Sequence, residues 1–202
     1  MTKNLNKIPV ILLAAGDSKR MGTPKGLLEF KEEPFVLYQI EKLKSIGFNE
    51  IIIVLGRSMD EYFKAIPEIK NHNIVINPHP ERGIFSSIQC GLETISENRT
   101  GVFILPIDVP CPLDNVWKKM LDTSYSSNVN VVVPSFEGKK GHPVLLLSDF
   151  KNHILTCSSD SRLDFEIRKQ EKQQKVKIIS VKDSTILLNL NTIEDWNAFK
   201  VL

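Results

Sequence analysis

Leu12-Leu-Ala-Ala-Gly-Asp-Ser-Lys-Arg-Met-Gly-Thr-Pro-Lys-Gly-Leu-Leu28 is the stretch on which the reading of the fold turns. It follows the apolar run Ile8 to Leu13, which is rich in β-branched residues and too short for a lone helix, so it reads as a buried strand. Ala14, Ala15 and Gly16 then carry almost no side chain, and successive backbone N–H groups can approach a ligand as a phosphate-cradling loop requires. Arg20 and Lys25 lie beyond the turn, and Pro24 restricts the backbone just before the lysine. The pattern suits a polyphosphate. It is not a Walker loop, because Gly16 and Gly22 enclose five residues and Thr23-Pro24 separates Gly22 from Lys25; the GxGxxG fingerprint is absent as well.

Working outward, Pro34 to Ile46 reads as an amphipathic helix closed by Gly47, Ile51 to Leu55 as a buried strand, Arg57 to Ile66 as a helix, and Asn73 to Ile76 as a short strand ending at Asn77-Pro78. Gly83 precedes an expected helix, Phe85 to Ile95, with Ser86 and Ser87 at its positive end; Ser86 reads equally as an N-cap or as an anion ligand. Val102 to Ile107 is the next buried strand. It delivers Asp108, flanked by Pro110 and Pro112, where a carboxylate could hold Mg²⁺ against phosphate oxygens or cap the helix Asn115 to Thr123; beside a phosphate loop the metal reading is preferred. Further strands are expected at Val129 to Pro134 and Val144 to Leu147, joined by a turn at Glu137 to Gly141, and this unit is expected to break parallel order and contribute to an acceptor lid. Arg162 to Lys172 reads as a helix with a solvated basic end reaching to Lys177. Thr185 to Leu190 reads as a strand, leading into a capping box, Thr192 and Asp195, that starts a terminal helix.

The strand-helix alternation implies a three-layer α/β/α fold with a mostly parallel, mixed sheet, and at 202 residues the chain, 1–202, fits one domain. Ligands in such folds bind beyond the carboxyl ends of the strands. The charged fraction of 25 %, the hydrophobic fraction of 42 % and a net charge of +2 are ordinary for a globular protein and argue against a nucleic-acid surface. No apolar run approaches ~18 residues and MTKNLNK has no signal-like core, so no membrane association and a cytoplasmic location are expected. Cys90, Cys111 and Cys157 are odd in number and far apart, and with His72, His79, His142 and His153 they show no metal-ligand spacing.

Leu13-Ala14-Ala15-Gly16-x-Ser18-x-Arg20-Met21-Gly22-x-Pro24-Lys25-x-Leu27-Leu28 closely resembles the signature of the MobA-like nucleotidyltransferases, the family of the molybdenum cofactor cytidylyltransferase and guanylyltransferase. The resemblance continues through Asn77-Pro78-His79-Pro80, Gly83, Ser86, Ser87, Asp108-Val109-Pro110, Gly141-His142-Pro143 and Asn189-Leu190-Asn191-Thr192, nearly the whole chain. It implies a Rossmann-like nucleotidyltransferase fold. It also implies Mg²⁺-dependent transfer of CMP from CTP to the terminal phosphate of a molybdopterin-type cofactor, with pyrophosphate released and a molybdoenzyme as possible client. Arg20, Lys25 and Asp108 would be catalytic and Asp108 the metal ligand; Leu13, Ala14, Ala15, Gly16, Arg20, Lys25, Asn77, Pro78, His79 and Gly83 would bind nucleotide; Ser86, Ser87, His142, Asn189 and Asn191 would bind the acceptor. Ala15 and the Asn77 to Pro80 segment resemble the cytidylyl branch, whereas Asn-Leu-Asn-Thr at 189–192 resembles the guanylyl branch and lacks that site's usual acidic residues, which weakens a second metal. The rival readings are a nucleotidyltransferase for sugar-1-phosphates or terpenoid precursors, and a nucleotide- or cofactor-binding chaperone without turnover.

Overall fold

The computed structural model describes residues 4–16, 18, 21–126 and 128–201. In chain order the elements are β1 (Val10–Ala14), β2 (Glu29–Phe30), β3 (Glu33–Pro34), α1 (Phe35–Ile46), β4 (Ile51–Leu55), α2 (Met59–Ala65), β5 (Asn73–Ile76), α3 (Ile84–Glu93), β6 (Gly101–Pro106) and α4 (Asp114–Ser124), followed by β7 (Val131–Phe136), β8 (Lys139–Lys140), β9 (Val144–Leu147), α5 (Ser148–Thr156), α6 (Leu163–Lys172), β10 (Val176–Ser180) and α7 (Ile193–Lys200). The main sheet runs β10-β7-β9-β6-β1-β4-β5, with β8 paired to the end of β7. β1 is parallel to both β4 and β6, and β4 is parallel to β5; β9 runs antiparallel to β6 and β7 on either side.

β1, β4 and β6 are buried along their whole length, so they read as continuous apolar runs, as parallel strands covered on both faces do. Alternation along β1 divides the core. Val10, Leu12 and Ala14 join Phe35, Val36 and Ile40 of α1, Tyr62 of α2, Trp117 of α4 and Trp196 of α7 on one face. Ile11 and Leu13 join Phe85, Ile88 and Leu92 of α3, Phe150 and Ile154 of α5 and Ile167 of α6 on the other. The result is the expected three-layer α/β/α arrangement. Gly47 closes α1 at φ +109°, its N–H bonded to the carbonyls of Leu43 and Lys44, a conformation that costs a side-chain-bearing residue more than glycine.

The second half departs from the sequence expectation in three places. Val144–Leu147 is a strand that breaks parallel order, as expected, but it is no lid: it is a central strand, which its wholly apolar composition and near-complete burial require. Thr185 to Leu190 is not a strand. Asp183 accepts from the backbone N–H of Thr185 at 3.0 Å and its hydroxyl at 2.6 Å, which turns residues 184–187 into a 3₁₀ helix. The strand at that side of the molecule is β10, parallel to β7, where the basic residues Lys175 and Lys177 flank Val176 on an exposed edge.

Candidate active site

β1 is where the chain order reverses: the chain passes from β1 to β4 on one side and later returns to β6 on the other. The crevice beyond the carboxyl ends of β1 and β6 is therefore the expected ligand position in an open α/β sheet. A cavity of about 380 Å³ opens there, lined by Leu13, Ala15, Gly16, Ser18, Lys25, Pro80, Gly83, Ile84, Ser87, Pro106, Ile107, Asp108 and Asn191.

Each wall is fixed by identifiable contacts. Gly56, just beyond β4, packs so closely under the loop after β1 that a Cβ there would stand 2.5 Å from the Ala15 carbonyl oxygen. Ser18 Oγ accepts from the backbone N–H of Lys25 at 3.1 Å, closing the loop across seven residues. Tyr62, buried in the core, carries its hydroxyl into the space beside Gly26, where a Cβ would lie 2.5 Å away. Lys25 is thus anchored at both flanks. Its Nζ donates to Asp108 Oδ2 at 3.0 Å and to Asn191 Oδ1 at 2.8 Å, with the lysine side chain 13 % and the aspartate 24 % exposed.

Asp108 follows β6 by two residues and is held from behind. Gln39 of α1, fully buried, donates to the Val109 carbonyl and accepts from the Cys111 N–H, both at 2.8 Å. Leu190 N–H donates to the Asp108 carbonyl at 2.9 Å, tying the 189–192 segment to the same turn. Asp195 Oδ2 then accepts from the backbone N–H groups of Asn191 and Thr192 at 3.0 and 2.9 Å, while Thr192 Oγ1 accepts from Asp195 N–H at 3.1 Å. The capping box thereby positions Asn191 as well as starting α7. Asp108 does not cap α4, whose N-cap is Leu113.

Asn77 is buried and faces inward. Its Nδ2 donates to Ser86 Oγ and Ser87 Oγ, both at 2.9 Å, and its Oδ1 accepts from His79 N–H at 2.8 Å. Ser86 is not the N-cap of α3, which is Gly83; its hydroxyl reaches back to the Gly83 carbonyl at 2.8 Å. Asn77 and Ser86 therefore brace the 77–83 loop, while Gly83 and Ser87 face the cavity. Pro78 and His79 are exposed outside that lining, His79 paired with Glu81 at 3.2 Å, and the Ala14 side chain belongs to the core. Arg20 lies outside the described residues.

A second cavity of about 590 Å³ adjoins the first, sharing Leu13, Ile84 and Pro106, and is lined by His142 and Asn189 together with Lys140, Arg162 and Arg168. His142 Nδ1 is buried without a hydrogen-bond partner, and burial holds its imidazole below the ordinary histidine pKa against an opposing pull from Asp108. Of the five residues expected to bind the acceptor, two line the first cavity, two line the second, and Ser86 lines neither. Gln39 was missed by sequence reasoning. Its signal was available: a polar residue inside the apolar face formed by Val36, Ile40 and Leu43 has to find partners.

Asp108 and Asn191 put a carboxylate oxygen and an amide oxygen on one ammonium group. Both are hard oxygen donors, and that donor set fits a hard divalent cation such as Mg²⁺, which needs one or two carboxylates with the remainder of its shell from phosphate and water.

The fold and this cleft define a nucleotidyltransferase. Residues 10–175 match the MobA-like NTP transferase domain, and the chain belongs to that family of enzymes. It is 26 % identical over 200 residues to a molybdenum cofactor guanylyltransferase of Campylobacter jejuni subsp. jejuni serotype O:6, covering 97 % of each chain. It is 29 % identical over 153 residues to a "Probable molybdenum cofactor guanylyltransferase" of Bacillus mycoides, covering 74 % of this chain and 71 % of that one. Among solved structures, Rv0371c of Mycobacterium tuberculosis H37Rv superposes with a TM-score of 0.83 at 20 % identity over 96 % of this chain and 98 % of that one. A manganese complex of that protein superposes at 0.75, with 18 % identity and the same coverage. No helix among the described residues is long and apolar enough to cross a membrane.

Proposed function

We propose that this enzyme transfers CMP from CTP to the terminal phosphate of a molybdopterin-type cofactor and releases pyrophosphate. The observation that carries the transfer is the convergence of Lys25, Asp108 and Asn191 at the mouth of the small-residue loop after β1. An acceptor phosphate oxygen attacks the α-phosphorus, a new P–O bond forms, and the bond to the bridging oxygen breaks with its electron pair leaving on pyrophosphate. The acceptor arrives deprotonated, so no general base is needed, and the only titratable side chains among the described residues of the cavity are Lys25 and Asp108.

What the chain supplies is position and charge. The Ala15-Gly16 backbone approaches the phosphates, Lys25 neutralises charge developing at the α-phosphate, and Arg20 stabilises the β- and γ-phosphates. Asp108, with Asn191 beside it, would hold Mg²⁺, which supplies Lewis-acid charge neutralisation at phosphate oxygens when bound. The second cavity, adjoining the first and carrying His142 and Asn189, accommodates the acceptor. A supply of nucleoside triphosphate places the reaction in the cytoplasm, and the nucleotide-modified cofactor would pass to a molybdoenzyme.

Selection of the base is assigned to Ala15, a residue of the cavity lining where any side chain leaves less room for a purine than glycine would, with Pro80 as another rigid part of the lining. The names of the relatives favour a second reading, transfer of GMP from GTP. Pyrophosphate release measured with molybdopterin and each nucleotide in turn decides between them. A higher kcat/KM for CTP is expected; equal values or a preference for GTP would overturn the choice of base. Nucleotide binding without acceptor-dependent release would overturn catalysis and leave a cofactor-binding chaperone. Release with sugar phosphates but not with molybdopterin would overturn the acceptor.

A further inference from the structure

Away from the nucleotide cleft, the end of α5 meets the start of α6. Three side chains of different chemistry converge there: among the described residues, His153, Cys157 and Glu166 bring a ring nitrogen, a thiol sulfur and a carboxylate oxygen within 4.8 Å of one another. We propose that these three residues form a binding site for a zinc-class divalent cation that clips α5 to α6. The proposal is independent of the nucleotidyl-transfer reading.

The separations suit one metal. Zinc bonds of about 2.3 Å to sulfur and about 2.0–2.1 Å to nitrogen, at tetrahedral angles, set donor-donor distances of roughly 3.3–3.6 Å. His153 Nε2 lies 3.2 Å from Glu166 Oε2 and 3.5 Å from Cys157 Sγ, so two of the three donor pairs already stand near the separations that one zinc ion would impose. The surroundings fix the ligands as a metal site requires. The His153 ring stacks on Phe150 at 5.8 Å, and His153 and Cys157 sit one helical turn apart, a spacing that the sequence alone did not single out as a ligand pair. Glu166 is buried at 3 % exposure, and its Oε1 accepts from Ser161 Oγ at 2.8 Å and from Lys169 Nζ at 2.9 Å. Lys169 also reaches Oε2 at 3.0 Å; with metal on Oε2 it keeps its bond to Oε1. His153 is 44 % exposed, so an ion can reach the cluster from solvent.

A soft thiolate and a borderline imidazole stand here beside one hard carboxylate. They select zinc-class metals over Mg²⁺, which prefers oxygen ligands alone. Asp164, Ile167 and Arg168 of the same helix line the second cavity, so a clip at Glu166 would stiffen one of its walls.

The test is a cobalt titration of the full chain, reduced, freed of metal and held in excess Mg²⁺. One equivalent of Co²⁺ is expected to develop sulfur-to-cobalt charge-transfer absorption, which Zn²⁺ bleaches. Cys157→Ser should abolish the absorption, His153→Ala should weaken cobalt binding at least roughly tenfold, and Asp108→Ala should leave it unchanged. Absence of the band at micromolar cobalt would overturn the site. So would persistence in Cys157→Ser, which would place the metal on Cys90 or Cys111, or loss in Asp108→Ala.

Discussion

The two adjoining cavities are built on different principles. The first lies at the ends of parallel strands, and its parts hold one another in place: Lys25 is met by Asp108 and Asn191, the turn after Asp108 by Gln39, and the loop after β1 by the close approach of Gly56. The second draws on an equally wide span of sequence, Leu13 to Asn189, but takes one wall from α6 and the residue before it, with Arg162, Asp164 and Arg168 in its lining. It carries the exposed cations Arg162 and Arg168, both paired with Asp164, and a buried His142 nitrogen with no partner. A preorganised charge cluster suits the step in which charge moves, whereas a wider cavity with adaptable cations suits recognition of an anionic acceptor. Substitutions in the first should therefore strike turnover, and substitutions in the second should strike acceptor affinity.

The largest effect is expected from Asp108→Ala. It removes the carboxylate proposed to hold Mg²⁺, and on that reading Lewis-acid stabilisation of several kcal/mol goes with it, so kcat should fall by about a thousandfold or more while thermal unfolding stays cooperative. Near-normal turnover with Mg²⁺ would erase the distinction between the cavities. Next in size are Lys25→Ala and Arg20→Ala, each expected to lower kcat/KM by on the order of a hundredfold. Lys25→Ala should act on kcat and Arg20→Ala on nucleotide KM, a split that steady-state kinetics resolves. Asn189→Ala sits on the other side of the comparison: loss of one hydrogen bond should raise acceptor KM roughly two- to tenfold and leave nucleotide KM alone. An equal effect on both would merge the two cavities into one functional unit.

How far the sequence disclosed these regions follows from the same contrast. The main-sheet strands and the α-helices from Val10 to Pro106 were legible, though the small β2–β3 pair was not, because buried parallel strands are uninterrupted apolar runs and the first helix between them begins and ends on Pro34 and Gly47. The positions of Asp108 and Lys25 at the cleft were legible because Asp108 comes just past an apolar strand and Lys25 directly follows Pro24. The 176–190 region was not. β10 is an edge strand with lysines flanking its apolar positions, which reads as a solvated stretch, and Ser184–Leu187 is shaped by Asp183, whose other oxygen accepts from Leu113 N–H at 2.7 Å across seventy residues. No local pattern carries a contact of that range. Asn77 looked like a nucleotide contact for a related reason: a loop asparagine followed by proline gives no sign that its amide is spent on Ser86 and Ser87.

The smallest expected effect tests the second cavity alone, through His142. Its folded pKa lies below the ordinary value of 6.5 because burial disfavours the imidazolium, and the attraction of Asp108 offsets this only in part. A base whose pKa is depressed by folding binds its proton more readily when unfolded. Stability from this group is therefore fully present above about pH 6.5 and declines as pH falls from there through the folded pKa; above that window it contributes no slope. Replacing the imidazole by an amide, His142→Gln, removes the titration, so the acid-side slope of the unfolding free energy should flatten for the variant relative to the parent. Urea unfolding at a series of pH values from 7.5 down to about 5 measures it. The carboxylates protonate mainly below that range and contribute equally to both proteins, so the difference between the two curves isolates His142. Parallel curves would show that the ring reaches water despite its burial, and the second cavity would then be as solvated as the first.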